Sequence, residues 1–173
     1  EEIKLGSNQS SLKIKDDNDY QARLLTPFSV LGIRTEEDWL TGIDYLPRDT
    51  PEQIPQNRLA REVCLQLNAY LKDPKFTFDL LLHISGTHHQ QRVWSSILEI
   101  PPGKTRSYAE IAKQIYSAPR AVGQACGANR LPIVIPCHRV IGSDGSLTGY
   151  AGGLWRKKWL LEHENPTNQK SLF

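Results

Sequence analysis

Residues 107–142, SYAEIAKQIYSAPRAVGQACGANRLPIVIPCHRVIG, decide how this 173-residue chain is read. Ser107-Tyr108-Ala109-Glu110 matches a capping box, in which the serine oxygen accepts from the N3 amide and the glutamate reaches back. A helix of about two turns is therefore predicted to run to Tyr116. Ser117-Ala118-Pro119 restarts the chain, Ser or Ala capping and Pro119 in the first turn of a second helix that ends near Asn129. Two short helices on a tight turn form a helix-turn-helix or a plain αα-hairpin, and the spacing leaves both open. Within the second helix Ala121, Gly123, Ala125, Gly127 and Ala128 are all small. Glycine in a helix costs about 1 kcal/mol against alanine, so two of them call for a close approach. Another helix would satisfy that need. So would a B-DNA minor groove, only ~6 Å wide, with Arg120 pointing into the duplex.

An apolar run, Ile133-Val134-Ile135, then delivers Pro136-Cys137-His138-Arg139. A cysteine beside a histidine and an arginine sits in an electropositive setting that favours the thiolate. Adjacent side chains of an extended segment point opposite ways, so Cys137 and His138 can cooperate only if the backbone turns there or a water bridges them. Cys64 and Cys126 complete a set of three cysteines with no C-x-x-C pair, which excludes a disulfide framework and a zinc knuckle and fits free thiols in a reducing compartment. A free cysteine by itself is more often inert packing.

Charge divides the chain. Residues 1–89 hold ten Lys/Arg against fourteen Asp/Glu, and residues 90–173 hold eleven against five, for a total of +2. The basic half suits an anionic partner, nucleic acid first, or is simply a solvated face. No apolar run approaches the ~18 residues of a membrane span, and the first twenty residues are unlike a signal peptide. Residues 1–19 read as a polar, irregular edge. Residues 21–46 read as strands, with Thr35-Glu36-Glu37-Asp38 as the hairpin connection. Pro47 to Pro55 is a loop. Leu59, Val63, Leu67, Tyr70 and Leu71 form the buried stripe of a helix stopped near Asp73-Pro74. Phe78 to Ile84 is a short strand candidate, and Val93, Trp94, Ile97 and Leu98 mark a helix ended by Pro101-Pro102.

With "SYAEIA" and "RAVGQACGAN" before it and "GYAGG…K.WLLEHE" after it, "IPCHRVIG" resembles the O⁶-alkylguanine-DNA alkyltransferases over about residues 92–164. The resemblance implies an α+β fold: a small N-terminal α/β domain with an antiparallel sheet over 1–88, and a mostly helical C-terminal domain with a helix-turn-helix, winged-helix-like motif over 89–173. It implies direct reversal of damage, in which an alkylated guanine is flipped from the duplex and its alkyl group passes irreversibly to Cys137, once per molecule. Extruding a nucleotide costs a few kcal/mol, less where pairing is already weakened. Carried over residue by residue, Cys137 is the acceptor, His138 takes its proton through a water, and Glu164 orients His138. Asn129 holds the turn before the acceptor. Tyr108 crowds the target phosphate and donates a proton toward the guanine ring. Arg120 fills the vacated stack, with Ala121 and Gly123 in the groove, while Tyr150, Ala151, Gly152, Pro132 and Val140 line the alkyl pocket.

The implied partner is alkylated double-stranded DNA bound through the minor groove, with no cofactor and no membrane. The protein is expected to be intracellular (cytoplasmic, nucleoid-associated in a bacterium) and monomeric, cooperation along DNA left open. Ala151 stands where serine is frequent in the family, but a backbone amide serves that role equally. The cysteine cluster of zinc-bearing relatives is absent, and His83, His88 and His89 read as surface residues, so no structural metal is expected. A non-catalytic lesion sensor on the same fold and a Cys-His-Glu hydrolase are the competing readings; the intact acceptor cysteine weighs against the first and the arginine helix against the second. Three glycines in the loop 149–153 suggest open space beside Cys137, which a large side chain at Gly152 would close to bulky adducts alone.

Overall fold

Alternation of apolar and polar residues after Tyr20 builds a three-stranded antiparallel sheet, β1 (Ala22–Thr26), β2 (Ser29–Glu36) and β3 (Trp39–Leu46), in that order. The structure is a computed structural model that describes residues 19–166; the irregular edge expected for residues 1–18 and the outer ends of both expected domains lie outside the described residues. β2 is central, and its first five residues are buried. The sheet has a second turn that the sequence reading did not separate, at Pro27-Phe28. There the Thr26 hydroxyl donates to Ser29 O (2.6 Å) and accepts from Ser29 N (3.1 Å). The expected hairpin at 35–38 turns through Glu37, at a φ of 53°.

Helix α1 (Arg58–Lys72) covers the sheet with Ala60, Val63, Leu67 and Tyr70. Asn57 caps it, accepting from Ala60 N at 2.8 Å, and it stops at Asp73 because the residue before a proline is driven out of the helical region. Phe78 to Ile84 is not a strand. Leu80, Leu82 and Ile84 do alternate into the core, yet a single parallel bridge, Leu40 to Leu82, joins this segment to β3. Burial alone had supplied the strand-like pattern.

Helix α2 (His88–Leu98) opens on a complete capping box, Thr87 with Gln90, a T-x-x-Q signal that the sequence reading passed over. It buries Val93, Trp94 and Ile97. A short parallel pair, β4 (Arg106–Ser107) with β5 (Val140–Ile141), brackets the segment quoted first. Between them lie α3 (Tyr108–Ile115) and α4 (Pro119–Gly127). Ser107 Oγ accepts from Glu110 N at 3.0 Å, as the box requires. Tyr116 closes α3 in the left-handed region, and Ala118 precedes Pro119 without a side-chain cap. The two helices pack on each other and on α2, which is the helix-turn-helix arrangement rather than an isolated hairpin.

The run Ile133-Val134-Ile135 is a turn, not an extended segment. Ile135 N bonds Leu131 O (2.9 Å), and Ile133 sits at a φ of +74°. A β-branched residue there costs roughly 1–3 kcal/mol, a strain the surrounding core must sustain. The chain continues as a single 3₁₀ turn, Cys137–Arg139, and the last helix among the described residues is α5 (Leu154–Glu164). One hydrophobic core runs through both halves, from Phe28 and Ile43 to Ile135 and Leu160. Among the described residues no helix is long and apolar enough to cross a membrane.

Replacing Thr87 by Ala removes one member of the box and is expected to destabilise the protein by about 1 kcal/mol, while Thr87→Ser changes little. Urea unfolding of both variants checks this.

Candidate active site

The backbone turns at Cys137–Arg139, yet among the described residues no hydrogen bond joins His138 to the Cys137 thiol, so the two can cooperate only through a bridging water. All three residues are buried. Asn129, just past the end of α4, stitches the turn together. Its Nδ2 donates to Ile135 O (2.9 Å) and to Cys137 Sγ (3.2 Å), and its Oδ1 accepts from Leu131 N (2.9 Å).

Glu164, in the last turn of α5, accepts from His138, Arg139 and Tyr70. His138 Nε2 donates to Oε2 at 2.8 Å, and Arg139 grips both oxygens, Nε to Oε1 at 2.8 Å and Nη2 to Oε2 at 3.0 Å. The Tyr70 hydroxyl of α1 donates to Oε2 at 2.6 Å. Burial would raise this carboxyl, but His138 and Arg139 overcome it and hold it well below the usual carboxylate range. An ionised carboxylate only accepts, so the imidazole proton lies on Nε2. That leaves Nδ1, which is buried without a hydrogen-bond partner among the described residues. Burial lowers His138 from its ordinary value against the pull of Glu164, so the ring is neutral near pH 7.

The thiol does not have the electropositive setting expected from the sequence. Arg139 is spent on Glu164 and on Ile100 O (2.6 Å). Hydrogen bonding with Cys126 and burial push the Cys137 thiol up, against Asn129 and Lys157, so it holds its proton. Lys157 is the cation that faces the thiols. It is fully buried, donates to Val140 O (2.6 Å) and Thr148 O (3.0 Å), and burial lowers it to about 8. It lies within the quoted "K.WLLEHE" motif, where nothing but burial could single it out. Tyr70 was legible only as a core position, and Arg139 only as a neighbour of the thiol.

Two cavities meet at Cys137. One, about 570 Å³, is lined by Tyr108, Arg120, Gly123, Cys126, Tyr150 and Ala151, among others. Arg120 and Ala121 both lie on α4, but Ala121 does not line this cavity. The Tyr108 hydroxyl donates to Thr148 O at 3.2 Å, and burial pushes its pKa up to about 12, so it is a proton donor at neutral pH. The second cavity, about 610 Å³, runs toward the sheet past Pro132, Tyr150, Ala151 and Gly152.

Two expected pocket residues need correction. Val140 lines neither cavity; it is fully buried in β5, and only its carbonyl, held by Lys157, belongs to the site. Gly152 is not open space. A Cβ there would lie 2.4 Å from the Tyr45 ring and 2.7 Å from the Tyr150 ring, so any side chain displaces both and cannot act on bulky adducts alone. Nor are the histidines all solvated: His83 packs edge-on against Trp39, and His89 Nε2 is 2.7 Å from Ser117 Oγ. No group of three or more His, Cys, Asp or Glu among the described residues could hold a metal ion.

The 6-O-methylguanine DNA methyltransferase DNA-binding domain matches residues 88–166. A methylated-DNA–protein-cysteine methyltransferase of Methanosarcina mazei is 41% identical over 152 residues, 84% of this chain and 96% of the relative. The chain belongs to the methylated-DNA–protein-cysteine methyltransferase family. The family member from Mycobacterium bovis is 56% identical over 101 residues, and that alignment spans 57% of this chain and 61% of the relative's length. The solved Mycobacterium tuberculosis O⁶-methylguanine methyltransferase superposes with a TM-score of 0.73 at 43% identity, covering 83% of this chain and 91% of that one.

Glu164 titrates below its unfolded value when folded, so its contribution is complete above the ordinary carboxylate pKa and is lost as pH falls below it. Glu164→Gln leaves Arg139 buried without a counter-charge and is expected to cost about 3–5 kcal/mol at neutral pH. The gap to the wild type should narrow, without closing, on acidification to about pH 3, because Glu164 is still ionised in the folded protein there. Urea midpoints at both pH values check the prediction.

Proposed function

We propose that this protein repairs DNA by moving the alkyl group from O⁶ of a flipped alkylguanine to its own Cys137, irreversibly and once per molecule. The observation that carries the reading is the buried His138, protonated on Nε2 by its bond to Glu164 and bare at Nδ1, next to the acceptor cysteine. His138 Nδ1 takes the thiol proton through one water. The sulfur attacks the alkyl carbon, the carbon–oxygen bond breaks, and Tyr108 donates toward the guanine ring to ease departure of the base. The product is a thioether and an unmodified guanine. This follows the nucleophile, base and orienter logic of catalytic triads, with the neutral thiol activated at the moment of reaction rather than stored as thiolate.

The partner in this reading is duplex DNA, entered through the minor groove by α4. Its glycines leave the helix face low, and a Cβ on Gly127 would meet nothing within 4 Å. Exposed Arg120, at the first turn of α4 and on the rim of the Cys137 cavity, fills the place the base leaves. Residues 89–173 then carry acceptor and DNA surface, and residues 1–88 carry the sheet that supports them. The protein acts as a monomer without a cofactor.

Incubation with duplex DNA containing O⁶-methylguanine, followed by intact mass and peptide mapping, tests the reaction. A gain of one methyl group on Cys137, absent in Cys137→Ser, is the expected result; turnover without mass gain would indicate a hydrolase, and flipping without either a lesion sensor. Arg120→Ala is expected to slow repair in duplex DNA far more than reaction with free O⁶-methylguanine. Equal losses on both substrates would place Arg120 in the fold or pocket instead. A weakened salt dependence of DNA affinity in this variant would add a phosphate contact to its role.

A further inference from the structure

The sheet-side cavity raises a question that the transfer chemistry leaves open: what closes it. Its wall includes Tyr45, near the end of β3, together with Tyr150, Pro132 and Cys137 itself. Tyr45 and Tyr150 join hydroxyl to hydroxyl at 2.9 Å across 105 residues of sequence. The Tyr45 ring also lies where a Cβ on Gly152 would be, at 2.4 Å. From its other side the Arg156 guanidinium stacks on the same ring, 4.7 Å from the centroid, and donates to Gly152 O (2.7 Å) and to Ser29 Oγ (3.2 Å). The sheet is bolted to the acceptor region a second time by Ile43 N donating to Arg130 O at 2.9 Å.

We propose that Tyr45 is a positioning and specificity-determining residue for alkyl transfer, its hydroxyl holding Tyr150 and its ring limiting the depth available to the adduct beside Cys137. The inference rests on the alkyl-transfer reading above and deepens it, because it gives the N-terminal sheet a share in the site.

Tyr45 acts in two ways. A pair of buried hydroxyls shares one proton between its oxygens and leaves the other free to donate elsewhere. Burial raises both phenols, so both protons are present. If Tyr45 donates, the Tyr150 proton is free to point at a ligand in either cavity, since Tyr150 lines both. Removing the Tyr45 hydroxyl therefore changes what Tyr150 offers as well as where it sits. The second is steric. The loop 149–153 has no Cβ at Gly152 that could hold it off the sheet, so the Tyr45 ring sets how far the loop settles toward β3. The ring, not the loop, is then the boundary of the space on that side.

Four proteins, the wild type, Tyr45→Phe, Tyr150→Phe and the double variant, are to be reacted with free O⁶-methylguanine and O⁶-benzylguanine under single-turnover conditions. The limiting rate and half-saturation are read separately. Tyr45→Phe is expected to lower the limiting rate with both guanines about fivefold, the size of one lost hydrogen bond, with duplex affinity unchanged. In the Tyr150→Phe background the same change should do almost nothing, because the partner is already gone. Losses that multiply in the double variant, or a matching fall in duplex affinity, overturn the positioning role. Tyr45→Ala should raise the benzyl-to-methyl rate ratio about fivefold or more by deepening the cavity. Should that variant not fold, Tyr45→Leu carries the same comparison. An unchanged ratio overturns the specificity role. A wild type inert to both guanines overturns the transfer reading and this inference with it, and is told apart by leaving no rate to compare.

Discussion

The Glu164 carboxylate is the point on which the structure turns. One buried anion accepts from His138 and Arg139 of the acceptor turn, and from Tyr70 of the helix that covers the N-terminal sheet. It therefore ties α1, the 3₁₀ turn and α5 into one unit. A buried charge persists only when paired and fully hydrogen-bonded, and this one has a bidentate guanidinium and two further donors. In the proposed reaction the same arrangement sets the path of the proton. Consuming Arg139 leaves Lys157 as the cation facing the thiol, and fixing the proton on His138 Nε2 leaves the ring's free lone pair on Nδ1.

This constraint explains why the thiol need not be acidic. Beside Cys126 and in a buried turn, Cys137 keeps its proton, and Lys157 only partly offsets the effect. A thiol that is ionised only when a base removes its proton is protected from stray electrophiles. It also makes the orientation of His138 worth the strain at Ile133, whose left-handed backbone delivers the turn. The glycines nearby divide the labour: Gly149 and Gly153 adopt positive φ that other residues resist, whereas Gly152 lets two aromatic rings close on the backbone.

Much of this was legible in the sequence. The helix pair, its serine cap, the α1 stripe and the sheet follow from local signals that survive folding. The Pro-Cys-His-Arg motif places Cys137, His138 and Arg139 side by side, and the resemblance adds Glu164, to which the last two are bonded. What could not be read are the contacts that depend on the path of the chain. Tyr70 reads as an apolar stripe position because its ring is buried, and nothing in periodicity reveals that its hydroxyl ends on Glu164. Ile133-Val134-Ile135 reads only as an apolar run, and nothing in it reveals that the backbone curls. Arg139 reads as a neighbour of the thiol because adjacency in sequence says nothing of the direction a 3₁₀ turn imposes. Tyr45 and Tyr150 lie too far apart in sequence for either to announce the other.

The proposed proton path from Cys137 depends on the state of one imidazole, and ¹⁵N NMR of histidine-labelled protein observes it directly. His138 should appear as the neutral Nε2–H tautomer at pH 7 and stay neutral below the ordinary imidazole pKa, with Nδ1 showing the shift of an unprotonated nitrogen. An Nδ1–H tautomer, or an imidazolium at pH 7, would contradict the proposed path of the proton from Cys137.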